Sequence, residues 1–124
     1  MADADPLTHE IIGAAMAVSK LCGTGLLESV YEGCLANKLL SLGFQVERQP
    51  TLSASLGELR FERAFRPDLV VARSVIVEVK AVSTFLPIHQ AQILTYLRLS
   101  GLHTGLLMNF NAFPFSKGIK RFIL

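Results

Sequence analysis

Three ionisable side chains stand inside the most hydrophobic stretch of this chain. They are Asp68, in Pro67-Asp68, and Glu78 and Lys80, in Val75-Ile76-Val77-Glu78-Val79-Lys80. The runs Asp68–Ala72 and Val75–Val82 are rich in β-branched residues and separated by a very short connection, which predicts a hairpin. If the loop is Ala72-Arg73-Ser74, Asp68 lies directly opposite Glu78; a two-residue loop shifts the register by one and leaves them near neighbours. Directly paired residues have Cβ atoms about 4.5–5.5 Å apart. Two carboxylates that close repel unless a cation sits between them, and hard oxygen ligands suit Mg²⁺ or Mn²⁺. Lys80 is two residues beyond Glu78 and so emerges on the same face. A lysine there can hold a water bound to the metal as the ammonium or deprotonate it as the neutral amine. The competing reading is structural: Ile76, Glu78, Lys80 and Val82 form the solvent face of a half-buried strand, with Val75, Val77, Val79 and Ala81 inward.

Two helical segments carry further polar groups. Gly25, Glu28 and Tyr31 fall within about 120° of one helix face at 100° per residue. Glu28 lies in the first turn, where the macrodipole favours a carboxylate whatever its other role. Gln92 and Tyr96 stand four apart on a third helix, with His89 within about 60° of both. Such a stripe offers neutral donors to phosphate oxygens or to a metal-bound water, or is simply a solvated helix flank.

These residues need a scaffold, and the chain can build one. It has 124 residues, 51% hydrophobic and 18% charged, enough for one core in a single domain spanning 1–124. Asp5 and Pro6 open a helix as N-cap and N1. Leu7, Ile11, Ala14, Val18 and Leu21 continue it at helical spacing, and Gly23-Thr24-Gly25 breaks it. A second helix is expected from about Leu26 to Leu42, with a stripe of Leu27, Val30, Cys34, Leu35, Leu39 and Leu42 and a stop at Gly43. Phe44–Ser55 reads as one strand and Leu59–Arg66 as a weaker one. Leu86–Ser100 is a helix with Pro87 in its first turn, followed by strands over Thr104–Phe110 and Ile119–Leu124. The order predicts a mixed α/β domain, a central sheet flanked by helices.

Other classes are excluded on chemistry. The mean hydropathy of +0.44 invites a membrane reading. The longest uncharged stretches, residues 81–97 and 99–116, are interrupted by Pro87, His89, Gln90 and Gln92, and by Gly101, Gly105, Asn109, Asn111 and Pro114, so no membrane span is expected. Asp3 and Asp5 do not suit a secretory n-region, and Cys22 and Cys34 are too few for a disulfide framework or a four-cysteine zinc site. Reduced thiols in a cytoplasmic protein are the expectation. The net charge of +2 is too small to prove an anionic partner, although residues 1–32 hold five acids and one base, and residues 81–124 four bases and no acid.

Taken in order, the motifs resemble the PD-(D/E)xK nuclease superfamily, and within it the small GxxExxY family. Gly25, Glu28 and Tyr31 match the motif that names the family. Pro67-Asp68 with Glu78-Val79-Lys80 matches the superfamily signature, and Gln92-Ile-Leu-Thr-Tyr96 its QxxxY element. The resemblance runs from Gly25 to Phe110 and implies a restriction-endonuclease-like αβββαβ core. It implies that Asp68 and Glu78 bind Mg²⁺ or Mn²⁺ with the backbone carbonyl of Val79 as a third ligand. It further makes Lys80 the catalytic lysine and Glu28 an additional catalytic acid and metal ligand. Gln92 and Tyr96, with His89 and Tyr31 nearby, would meet the substrate. The implied activity is metal-dependent phosphodiester hydrolysis of nucleic acid, DNA before RNA. The alternative is a non-catalytic nucleic-acid- or protein-binding module on the same fold. One small domain with weak positive charge grips a duplex poorly, so a homodimer is expected.

Overall fold

Asp5 and Pro6 start the first helix in the expected way. The Asp5 carboxylate accepts from the Leu7 amide at 3.0 Å, and Pro6 occupies a position that needs no donor. The structure is a computed structural model that describes residues 5–124, so Asp3 of the acidic N-terminal set lies outside it. Helix α1 spans Pro6–Cys22 and α2 spans Glu28–Ser41; strands β1 (Val46–Arg48), β2 (Leu52–Leu56), β3 (Leu59–Phe65), β4 (Leu69–Val71) and β5 (Val75–Lys80) follow. Helix α3 (Pro87–Ser100), β6 (Thr104–Asn109), a 3₁₀ turn (Phe115–Gly118) and β7 (Ile119–Ile123) complete the chain. No helix is long and apolar enough to cross a membrane among the described residues.

Five strands form one mixed sheet in the order β1-β4-β5-β6-β7, and β2 and β3 form a separate hairpin. Among the described residues only β5 and β6 run parallel; the crossover between them is α3. Helices α1 and α2 cover one face, packing Ile11, Val18, Tyr31, Leu35 and Leu39 against Leu69, Val71, Val75, Val77, Val79 and Leu106. Helix α3 covers the other, packing Ile93 and Leu97 against Val70, Ile76 and Leu107. A strand buried on both faces has no solvent side, which is why β5 reads as a nearly continuous apolar run. Ile76 and Glu78 are both buried, so the half-exposed strand does not exist here.

Three expectations shift. The single strand over 44–55 divides into β1 and β2, in different sheets. Gln49 turns into the left-handed region (φ 48°) and Pro50 has no N–H to continue a ladder. In α2 the buried stripe is Tyr31, Leu35 and Leu39, while Leu27 and Val30 are exposed. Leu27 is the N-cap, outside the helix, and the phase of the helix is set by its seat on the sheet. Leu21, at the end of α1, is likewise 80% exposed. Cys22 and Cys34 remain free thiols, their sulfurs 3.9 Å apart, with the Cys22 thiol pushed up by burial and by its neighbour.

Candidate active site

The hairpin register decides the site. Leu69 pairs with Val77, Val70 with Ile76 and Val71 with Val75, leaving Ala72-Arg73-Ser74 as the loop. Extending that register by one residue sets Asp68 against Glu78, and the side chains cross-link the backbones. The Asp68 amide donates to Glu78 Oε2 at 2.7 Å, and the Val79 amide donates to Asp68 Oδ2 at 2.8 Å. Each carboxylate therefore spends one oxygen on the opposite strand and keeps the other for a different partner.

Burial makes this arrangement costly when both groups are charged. Desolvation raises the Asp68 carboxyl to about 6; the Val79 amide and Lys80 pull it down, while Glu32 and Glu28 push it up. Desolvation and then the Asp68 charge raise Glu78 to about 8, against the Asp68 amide and Lys80. Lys80 follows Glu78 at the period of two and is half-buried, and it makes no ion pair within 4 Å among the described residues. The donor set is hard oxygen, crowded and short of positive charge, which fits a divalent cation. It is nevertheless a pair: among the described residues no group of three or more His, Cys, Asp or Glu closes around one point.

Glu28 arrives from the opposite face of the sheet. Its Oε2 accepts from the Ala81 amide at 3.0 Å, one residue beyond β5, so it braces the strand end beside the acid pair. The turn before α2 aims it there. Gly25 lies outside the helix at φ 94° and donates its amide to Asn111 Oδ1 at 2.9 Å. The Tyr31 hydroxyl donates to Gly23 O at 2.7 Å and accepts from the Leu26 amide at 3.1 Å. Its ring stacks on Phe110 at 4.7 Å and is wholly buried. Tyr31 thus presents no surface to a substrate and locks the turn that positions Glu28. The single helix face drawn through Gly25, Glu28 and Tyr31 gives way to a turn followed by a helix start.

On α3, Tyr96 packs its ring on Phe65 at 4.9 Å. Burial and the charges of Glu78 and Asp68 raise its phenol, while a hydrogen bond with Gln92 lowers it. Gln92 and Tyr96 therefore form a bonded pair within the field of the two acids. His89 is used differently: its Nδ1 accepts from the Leu86 amide at 3.1 Å and caps the helix.

Four further residues hold the site, and the motifs alone did not find them. Glu32, one turn after Glu28, is buried and takes Arg48 Nη2 at 3.2 Å and Gln49 Nε2 at 3.3 Å. The Gln49 amide donates to the Asp68 carbonyl at 2.8 Å. Asn109, buried at the end of β6, accepts from the Val82 amide at 3.0 Å and donates to the Val82 carbonyl at 2.8 Å, fixing the chain just after Lys80. The i, i+4 spacing of Glu28 and Glu32 was visible in the sequence; Arg48, Gln49 and Asn109 carried no such signal.

No curated protein and no solved structure matches the chain. A family model for the PD-(D/E)XK nuclease superfamily runs over residues 5–122, from the cap of α1 into β7, and the chain that brings Asp68 and Glu78 together ahead of Lys80 belongs to that superfamily.

Proposed function

We propose that the protein is a metal-dependent nuclease acting on DNA, and that it belongs to the GxxExxY family, whose motif Gly25, Glu28 and Tyr31 supply. The observation that carries the reading is the Asp68–Glu78 pair, two crowded carboxylates with raised pKa values and no ion pair among the described residues. In this reading the free oxygens of Asp68 and Glu78, with the Val79 carbonyl, would hold Mg²⁺ or Mn²⁺, while Glu28, expected as a further ligand, does not close with the pair and braces the strand end at Ala81. When bound, the ion polarises a water and neutralises charge on the phosphate. Lys80 would orient the attacking water and, as the neutral amine, accept its proton as the new P–O bond forms and the P–O bond to the leaving strand breaks, the leaving oxygen being protonated from solvent. Gln92 and Tyr96 direct donors toward the phosphate, and Glu28, Gln49 and Asn109 keep the strand ends from moving. A homodimer doubles the phosphate contacts that a formal +2 charge supplies poorly. Cytoplasmic residence accords with two free thiols.

The rival reading is a binding module on the same fold, which the lack of a third side-chain acid beside the pair favours. The deciding experiment incubates labelled single- and double-stranded DNA and RNA with the protein in Mg²⁺, Mn²⁺ or chelator. Metal-dependent cleavage of DNA that stops with chelator supports the nuclease. Mn²⁺ binding by calorimetry without cleavage of any substrate supports the module.

A further inference from the structure

Both faces of the acid site are accounted for, but a second basic feature lies on the α3 side of the same sheet. A cleft of about 600 Å³ opens between the β2–β3 hairpin and the C-terminal end of α3, floored by Val70. Arg60, Arg73 and Arg98 line it together with the hydroxyl-bearing Ser53, Ser55 and Ser100, and Glu47 is the one acid among the described lining residues. Arg60 is engaged by Glu62 at 3.0 Å and by Ser53 at 3.0 Å, whereas Arg73 and Arg98 are exposed and make no ion pair within 4 Å among the described residues.

The way Arg73 reaches the cleft is the second observation. Ala72 and Arg73 both sit in the left-handed region, at φ 53° each. Two consecutive non-glycine residues there are unfavourable, and a hairpin turn of this kind ordinarily takes Asn-Gly. Strain of this sort persists where the surroundings enforce it and clusters at sites of function. The Ala72 amide donates to Gln45 O at 2.7 Å, and Ser74 bonds back to Val71 O and Ala72 O at 3.0 and 2.9 Å, which hold the turn in that shape. An arginine is kept where a glycine would relax the backbone.

The cleft and the acids share one track. Val70, on the floor, follows Asp68 at the strand period and so lies on the same face. Arg73 is at most about 17 Å beyond Asp68 at strand spacing. Gln92, Tyr96 and Ser100 recur every fourth residue along α3, from the field of the acids to the cleft wall. The volume is of the order of one or two nucleotides of a single strand.

We infer that this cleft binds the phosphate backbone of a single nucleic-acid strand, with Arg73 and Arg98 as its phosphate-contacting residues, and leads the strand along α3 to the acid pair. The ligand's identity rests on the nuclease reading; the cleft's affinity for a phosphate chain is independent of cleavage. The test is anisotropy titration of labelled single-stranded DNA and RNA 12-mers and of the DNA duplex, in chelator, across a salt series. Wild type binds both single strands alike and more tightly than the duplex. Arg73→Gly raises Tm by a few degrees through relief of the turn, yet weakens single-strand binding several-fold and flattens the log K against log salt slope by about 0.7, the loss of one phosphate contact. Arg98→Ala lowers affinity and slope similarly without the gain in Tm. Ala72→Asn, which keeps the arginine, raises Tm and leaves binding unchanged. Arg73→Gly with wild-type affinity and slope, or a duplex that binds more tightly than the single strand, overturns the proposal. Arginine-dependent binding by a wild type that cleaves nothing in Mn²⁺ sinks the nuclease reading and leaves the cleft; cleavage unaffected by both arginine variants does the reverse.

Discussion

Two glutamates of this protein are almost equally buried, Glu32 at 4% exposure and Glu78 at 3%, and they live in opposite circumstances. Glu32 has Arg48 at 3.2 Å and the Gln49 amide group at 3.3 Å. Glu78 has Asp68 as its neighbour and makes no ion pair among the described residues, and burial first and the Asp68 charge second raise its carboxyl to about 8. A buried charge with its partners supplied is a structural element; one left short of charge is poised for something that arrives later. The two are coupled, because Gln49 takes the carboxylate of Glu32 with its side chain and the carbonyl of Asp68 with its amide. The satisfied cluster is the clamp that keeps the unsatisfied pair from relaxing apart.

The contrast predicts different outcomes for similar substitutions. The largest is in activity. Lys80→Ala removes a proton-transfer group and lowers the cleavage rate by about 10²–10⁴-fold while Mn²⁺ affinity measured by calorimetry stays near wild type. Asp68→Ala loses both. Equal loss of metal affinity in the two variants would move Lys80 from the chemistry to the ligand shell.

Stability separates the two glutamates next. Glu32→Ala leaves the Gln49 amide and the Arg48 guanidinium short of an acceptor and costs about 1–3 kcal/mol in urea unfolding, the lower part of the range because Arg48 can turn to water. Glu78→Gln removes a like-charge contact and raises the metal-free Tm at pH 8. A Glu78→Gln protein less stable than wild type at that pH would contradict the crowding.

The pH dependence is smaller. Both acids of the pair titrate in the folded protein above the ordinary carboxylate range near 4. The folded state therefore binds more protons than the unfolded chain between pH 4 and 8, and stability falls as pH rises through that window. The pair costs nothing below pH 4 and its full penalty above about 8. Metal-free Tm scans from pH 5 to 8 should show a decline that Asp68→Asn flattens and saturating Mn²⁺ abolishes. The smallest effect belongs to the exposed Arg60–Glu62 pair on the hairpin, where Glu62→Ala changes stability by under about 1 kcal/mol.

Much of this was written in local chemistry. The Asp5-Pro6 start, the stop at Gly43, the β4–β5 loop and the face shared by Glu78 and Lys80 each follow from a residue and its neighbours. The register opposing Asp68 to Glu78 needed only the length of a three-residue loop. The split at Gln49-Pro50 was also local in origin, since a proline cannot extend a ladder, yet the alternation of Phe44 and Val46 before it and Leu52 and Ala54 after it concealed it.

Other features exist only once elements pack. Nothing in the sequence says that α3 closes over Ile76 and Glu78, because burial on a second face depends on where a later helix returns. Tyr31 stands near the substrate by the resemblance alone; once its helix is seated, its ring meets Phe110 and its hydroxyl meets the Gly23–Leu26 turn. Glu32, Arg48, Gln49 and Asn109 act across long separations in the chain, and such contacts leave no periodic trace. Residue types and spacing determined which groups could do chemistry and on which strands they stand. The tertiary structure decided which carboxylates lose their water and which gain a partner, because solvation and charge balance belong to the packed surroundings and not to the residue.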